Sequence, residues 1–126
     1  MFLTYRRRFL FASCAVLAIL LAVDLAGLSY SLYWSIWWYD IPVHIIGGAG
    51  IALLAAWALA LKGKQPSFFA CMLMVLIAGL GWEVFEAYFG LTEFPQDTID
   101  TIKDLCDDVL GGSVAFILSM YFNSRS

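Results

Sequence analysis

"EVFEAYFGLTEFPQDTIDTIKDLCDDVLGG", residues 83–112, is the stretch that decides how this chain folds, because it places a dense set of charges inside a very apolar sequence. It holds every acid of the chain except Asp24 and Asp40, and Lys103 is its only base. The acids of the stretch are Glu83, Glu86, Glu93, Asp97, Asp100, Asp104, Asp107 and Asp108. The fold must therefore accommodate these carboxylates beside long apolar segments.

The composition around this stretch is that of a membrane protein. The 126 residues are 63% hydrophobic and only 13% charged, and the mean hydropathy is +0.85. Soluble domains are about half apolar and about one quarter charged. We therefore expect the lipid bilayer to be the chain's surroundings, and we expect no nucleic-acid partner.

Long apolar segments account for nearly the whole length. They predict an all-α, polytopic membrane protein in which residues 1–126 form a single domain, a compact bundle of four transmembrane helices. The helices are expected at about 9–28, 41–61, 67–89 and 98–122. The last uncharged run, residues 109–122, is shorter than the roughly 20 residues that a spanning helix needs. Its helix must therefore begin among the acids.

Basic residues indicate the topology. The first apolar segment follows three arginines but is too long for the apolar core of a secretory signal, so we predict a retained first helix. Six of the seven bases are expected on one side of the membrane: Arg6, Arg7, Arg8, Lys62, Lys64 and Arg125. Because bases favour the cytoplasmic side, the sequence predicts a bacterial inner-membrane protein with both termini in the cytoplasm and the acids facing outward.

One face of the last helix carries a column of carboxylates. At about 100° per residue, Asp97, Asp100, Asp104 and Asp108 fall within an arc of roughly 80°. Asp107 lies just beside this column. The spacing predicts that the acidic face of this helix looks toward the other helices.

Two further helices carry polar pairs near their outer ends. Glu83 and Glu86 are three residues apart, and Asp40 and His44 are four apart, so each pair projects to one side of its helix. Small residues beneath the acids permit close helix packing in lipid. We predict that helices 2, 3 and 4 converge on one outward cavity, with these glycines at the contacts: Gly47, Gly79 and Gly111.

So many acids facing one cavity need a counter-charge, since burial and mutual repulsion both disfavour ionised carboxylates. No lysine or arginine is expected within the membrane to pair with Glu83. A divalent ion would neutralise the acids, and oxygen ligands with one imidazole suit Mg²⁺, Mn²⁺, Ca²⁺ or Zn²⁺. Two alternatives stay open: protonated or water-bridged carboxylates, and simple solvated helix ends.

The predicted metal site draws on seven residues: Asp40, His44, Glu83, Glu86, Asp100, Asp104 and Asp108. We expect four of them to be direct ligands, namely His44, Glu83, Glu86 and Asp104. Asp40 would orient His44 or bind beside it, as carboxylates do for metal-bound imidazoles. Asp100 and Asp108 would hold a second ion or activate water. His44, Asp100 and Asp108 are thus the candidate catalytic residues.

Three stretches resemble the YjdF-like family of small bacterial inner-membrane proteins and, more distantly, VanZ-like proteins. They are "YDIPVH" at 39–44, "WEVFE" at 82–86 and "DTIDTIKDLCDDVLGG" at 97–112. The resemblance implies a helical membrane fold with a shared polar site. Two differences stand out: relatives with this pattern are often longer, with additional helices, and Asp108 occupies a position where Asn is more usual.

Three functions are compatible with these features. The first is a metal-dependent hydrolase or transferase that acts on lipid-linked substrates at the outer leaflet. The second is an ion or metal transporter that works as a homo-oligomer, because polar groups along a whole path are sparse in one chain. The third is a non-catalytic scaffold whose acids recruit a basic partner. The residues alone identify no substrate.

Overall fold

The computed structural model of the protein describes residues 2–93 and 95–124, with side chains from residue 6 onward. The described chain is helical and contains no strand. Its helices are α1 (Phe2–Ser29), α2 (Leu32–Ser35), α3 (Asp40–Leu61), α4 (Phe68–Tyr88) and α5 (Thr98–Ser124). Arg125, one of the bases assigned to the cytoplasmic side, lies outside the described residues.

Four of these helices are long and apolar enough to cross a membrane. The candidate spans are Arg6–Ser29, Asp40–Leu61, Phe68–Tyr88 and Thr98–Ser124, and each exceeds the roughly 20 residues needed. The last span includes the acidic segment, because its apolar part alone is too short. The prediction of an all-α membrane protein with four transmembrane helices is confirmed.

Helix α3 is the centre of the bundle. It packs against α1, α4 and α5, and α4 also packs against α5. α1 contacts α3 extensively but meets α4 and α5 at most marginally. The apolar core lies where the N-terminal parts of α1 and α4 meet the C-terminal parts of α3 and α5. Its buried residues include Phe9, Ala56, Cys71, Val75 and Phe116. The acids gather at the other end of the bundle, here called the acidic end.

Glycines allow α3 and α5 to pack backbone to backbone. A Cβ atom on Gly48 would overlap the carbonyl of Asp108, and one on Gly111 would overlap the carbonyl of Ile45. We call this pair of contacts the α3–α5 seam. A Cβ on Gly79 of α4 would meet the Asp108 carboxylate at 2.5 Å. Two of the three predicted glycine contacts, those of Gly79 and Gly111, are therefore present.

The third predicted contact was assigned to the wrong glycine. A Cβ on Gly47 would have its nearest neighbours, a Leu20 methyl and an Asp108 oxygen, at 3.8 and 4.0 Å. Those are ordinary van der Waals distances. Gly48, one residue further along α3, makes the close contact instead, because successive residues of a helix point about 100° apart.

The aromatic segment between α1 and α3 folds back on the end of α1. The Tyr39 hydroxyl donates to the carbonyl of Val23 at 2.6 Å, and the Tyr33 hydroxyl donates to the Asp24 carboxylate at 2.5 Å. Both rings lie against Gly27, where a Cβ would overlap them. Burial, together with the hydrogen bond to Asp24, raises the pKa of Tyr33 above its ordinary value.

Candidate metal centre

His44 lies one helical turn inside α3 and presents its two ring nitrogens to different partners. Nδ1 is 3.2 Å from Oδ1 of Asp108. Nε2 is 3.5 Å from Oδ1 of Asp40 and 3.8 Å from Oδ2 of Asp104. His44, Asp104 and Asp108 are all buried, whereas Asp40 is partly exposed. We call these four residues the His44 cluster.

The cluster forms because the α3–α5 seam brings together two pairs of residues, each spaced four positions apart on its helix. Asp40 and His44 are four residues apart in α3, and Asp104 and Asp108 are four residues apart in α5, so each pair lies on one helix face. The contacts of Gly48 and Gly111 bring these two faces together. Four polar side chains therefore meet between two closely packed backbones.

The Nε2 side of His44 has the geometry of a ligand set. One ligand atom each from Asp40, His44 and Asp104 lie within 4.8 Å of one another. Two atoms that each bind the same ion at about 2.1 Å are separated by roughly 3 to 4 Å. The distances from His44 Nε2 to the Asp40 and Asp104 carboxylates, 3.5 and 3.8 Å, fit that range. This group could therefore hold a divalent ion.

A basic residue accompanies the acids of α3 and α5, although its described ion pairs do not include Glu83. Lys103 lies within the α5 span and its Nζ contacts the Asp104 carboxylate directly. Nζ also lies 3.6 Å from Asp100, 3.8 Å from Asp107 and 3.9 Å from Asp40. The ammonium group is thus a counter-charge for these acids, and it shares Asp40 and Asp104 with His44.

Glu83 and Glu86 lie outside the group that surrounds Nε2. Glu83 is buried, with 4% of its surface exposed, and its Oε2 accepts a 2.7 Å hydrogen bond from the Thr101 hydroxyl. Its Oε1 has no hydrogen-bond partner among the described residues. Glu86 accepts from Trp82 Nε1 at 2.9 Å and from the Thr92 hydroxyl at 3.4 Å. The structure therefore associates Glu83 with the α4–α5 contact.

The remaining acids of the column have distinct environments. Asp100 is exposed, with 64% of its side chain accessible, and its ion pair is with Lys103. Asp107 is mostly buried, and its Oδ2 accepts no hydrogen bond from the part of the chain that the structure describes. Asp97 precedes α5 and its carboxylate accepts from the backbone N–H of Glu93 at 2.7 Å. Asp97 therefore stabilises the turn before the helix and does not join the cluster.

A cavity of about 290 Å³ adjoins the His44 cluster. It lies between α1 and α4, beside α3, and we call it the α1–α4 cavity. Asp24, His44 and Asp108 line it together with Trp82 and apolar side chains. Asp24 and the involvement of α1 were missed from the sequence. An acid within the first apolar segment was the available signal, since intramembrane acids are costly and commonly functional.

Lys103 was the second residue that the sequence reading missed. Its spacing gave a signal, because Asp100 and Asp107 lie three residues before it and four after it, the separations at which helical side chains meet. Its contact with Asp40 had no such signal. That contact depends on how closely α3 and α5 approach each other.

Comparison with known proteins gives a family. The chain belongs to the family described as "Predicted membrane protein (DUF2238)", whose model matches residues 1–125. Neither a curated protein nor a solved structure matches the chain. The family supports a membrane protein, while the resemblance to YjdF-like and VanZ-like proteins stays a prediction.

Proposed function

We propose that this DUF2238 family member binds one divalent cation through Asp40, His44 and Asp104, and that the ion serves a hydrolase or transferase acting on lipid-linked substrates. The observation that supports the proposal is that the two ring nitrogens of His44 face different partners. Nδ1 faces one carboxylate, while Nε2 faces two others at ligand-like spacing.

Asp108 is well placed to prepare His44 as a ligand. If Nδ1 carries the proton, its N–H donates a hydrogen bond to the Asp108 carboxylate. The lone pair on Nε2 is then directed toward Asp40 and Asp104. Metal-bound histidines usually donate their other ring N–H in this way, which fixes the tautomer and the ring orientation. In this proposal Asp108 positions the imidazole, and Asp40 takes a direct ligand position.

The charge balance of the acidic end also favours a cation. Lys103 is a single positive charge near Asp40, Asp100, Asp104 and Asp107. Even with this ammonium group in place, the acids outnumber the bases. Two carboxylates and one imidazole suit Mg²⁺, Mn²⁺, Ca²⁺ or Zn²⁺, with water completing the coordination.

The wider set of seven predicted site residues remains a prediction, and we propose different roles within it. Glu83 and Glu86 would add negative charge from α4 without binding the ion directly. Asp100, whose exposed carboxylate borders the cluster, would accept a proton from an attacking water molecule. A bound divalent ion would supply Lewis acidity toward a phosphoryl group. Lys103 would hold the substrate's phosphate once the ion has taken its carboxylates.

We further propose the membrane placement that the bases indicate, with the acidic end outside the cytoplasm of a bacterial cell and both termini within it. A substrate headgroup would then approach from the outer leaflet, on the side of Asp100 and Lys103. A homo-oligomer is compatible with this placement. Cysteine accessibility offers a direct check, since Glu93→Cys would place a thiol at an exposed position in the loop before α5, where it should react with an impermeant thiol reagent added to intact cells.

Lys103 makes the metal proposal sharply testable, because it and the ion compete for the same carboxylates. Purified protein would be stripped with a chelator, and binding of Mg²⁺, Mn²⁺, Ca²⁺ and Zn²⁺ would be followed by metal analysis and by melting temperature. We expect Asp104→Asn to weaken metal binding at least about tenfold. Lys103→Met should strengthen it severalfold, since it removes a competing positive charge.

Matched controls separate these effects from changes in net charge. Lys64→Met removes an exposed lysine from the loop between α3 and α4, and Glu93→Gln removes an exposed acid from the loop before α5. Neither should alter metal affinity. If no ion binds the wild type, and Lys103→Met merely lowers the melting temperature, then Lys103 and protons neutralise the acids and the metal proposal fails.

The reaction is tested separately. Release of inorganic phosphate from a polyprenyl diphosphate in mixed micelles should require the added ion and should be lost in His44→Ala. Metal binding without turnover would leave the ion site in place and overturn the proposed hydrolase activity.

A further inference from the structure

The α1–α4 cavity opens toward the lipid side of the bundle. α1 and α4 both border it, yet they meet each other at most marginally. Leu21 of α1 and Trp82 of α4 line the cavity and also have 59% and 44% of their surfaces exposed. Because both helices are membrane spans, a molecule can enter this opening sideways from the bilayer.

The lining divides the cavity into an apolar part and a polar part. Val75 belongs to the apolar core and Ile51 packs against it, and both line the cavity together with Leu17. Asp24, His44 and Trp82 line the other part, each seven positions away from the apolar residue on its own helix, which is roughly 10 Å along a helix axis. A molecule with a hydrocarbon chain and a polar head would match this division.

The charged side chains that line the cavity determine whether a positive or a negative headgroup is favoured. Among the described residues that line the cavity, Asp24 and Asp108 contribute carboxylates, His44 contributes an imidazole, and there is no lysine or arginine. Lys103 contacts acids on the Nε2 side of His44, whereas the cavity residue Asp108 lies on the Nδ1 side. The indole ring of Trp82 can also attract a cation over its face. A positive headgroup complements this wall, and an anionic one is repelled.

We propose that the α1–α4 cavity binds a single-chain cationic amphiphile, an alkylammonium, taken from the bilayer. Its hydrocarbon chain lies against Leu17, Ile51 and Val75, and its ammonium group lies near Asp108, with Asp24 at the rim. A volume of about 290 Å³ is at the lower end of small-molecule pockets, which suits one chain. This inference goes beyond the proposed function and requires no bound metal.

The test uses a photoreactive probe of known chemistry. Full-length protein in dodecyl maltoside, with chelator present, would be incubated with decyltrimethylammonium carrying a diazirine in its chain. Decyl sulfate with the same diazirine is the charge control. We expect the cationic probe to label α1 and α4 residues that line the cavity, and we expect at least about tenfold less labelling there by the anionic probe.

Two substitutions examine the cavity itself. Ala78→Leu fills the cavity from α4, whereas Ala58→Leu makes the same change at an exposed position of α3. The first should abolish cavity labelling, and the second should leave it unchanged. Asp24→Asn should weaken labelling by the cationic probe alone. Should Ala78→Leu fail to fold, Gly47→Ala serves in its place, since Gly47 has room for a methyl group.

Several results would overturn the proposal. Equal labelling by both probes would show that charge does not select the occupant. Labelling confined to exposed α4 positions such as Leu80 would show that the probe only coats the lipid-facing surface. Metal binding measured on Ala78→Leu distinguishes this proposal from the previous one, because the cavity variant should keep the metal site while losing the amphiphile.

Discussion

The α3–α5 seam and the α1–α4 cavity are neighbouring regions of one bundle with opposite packing. At the seam, Gly48 and Gly111 let two backbones touch, and three polar residues beside them are buried: His44, Asp104 and Asp108. At the cavity, leucines of α1 face α4 across open space. Small residues thus allow the close packing at the seam. Larger side chains that do not interlock leave the α1–α4 cavity open beside it.

His44 and Asp108 belong to both regions. Each is part of the cluster at the seam, and each also lines the cavity. The closed region therefore fixes the positions of these side chains, while the open region gives them access to a ligand. Substitutions that affect one region and not the other should therefore separate stability from binding.

The largest effect is expected from closing the space at the seam. Gly111→Ala would place a methyl group against the Ile45 carbonyl, and a backbone atom cannot move aside as a flexible side chain can. We expect a loss of about 3 kcal/mol in the free energy of unfolding. Gly81→Ala is the matched control in α4, where nothing lies within 4 Å. Thermal unfolding in detergent would measure the stability of both variants. Equal melting temperatures would show that the α3–α5 seam is not a close backbone contact.

A smaller effect is expected at the buried Glu83, which lies between α4 and α5. Thr101→Val removes the one hydrogen-bond donor that the described residues offer to Glu83 and should cost about 1–3 kcal/mol of unfolding free energy, the penalty for an unsatisfied buried group. Adding Glu83→Leu should recover most of that loss, because replacing both partners with apolar groups can be nearly neutral. A double variant less stable than Thr101→Val alone would contradict this explanation.

Next to the cavity residue Asp24, Tyr33→Phe should cost about 1 kcal/mol, since it removes the hydrogen bond to the Asp24 carboxylate. It should also alter the response to alkali. The folded-state pKa of Tyr33 is raised, so its contribution to stability is complete below the unfolded-state value of about 10 and is lost as pH rises above it. Unfolding measured across that range should show a shallower alkaline decline for Tyr33→Phe. An identical pH slope in both proteins would contradict the prediction.

The smallest effect is expected at the glycine beside the seam. Gly47→Ala adds a methyl group that meets ordinary contact distances, and alanine favours a helix over glycine by up to about 1 kcal/mol. We expect unchanged or slightly increased stability. Gly48→Ala is the direct comparison one position away, where the methyl group would overlap the Asp108 backbone. If both variants lost stability equally, the distinction between closed and open regions would be wrong.

Sequence patterns predicted the helices well because each depends on local information. An apolar segment about 20 residues long has few alternatives to a membrane helix. The pairing of Asp40 with His44, and the common face of Asp104 and Asp108, follow from helical periodicity alone. The choice between Gly47 and Gly48 did not follow, since both adjoin the same polar face and helix rotation decides between them.

The membrane class, the four helices and the grouping of acids near one end follow from the sequence, because hydropathy and periodicity act along the chain. Three further relations depend on how the helices pack: Lys103 shares carboxylates with His44, Asp108 faces Nδ1, and Asp24 joins the wall of a cavity. Those relations depend on distances between helices, which are set by how closely their side chains allow two backbones to approach.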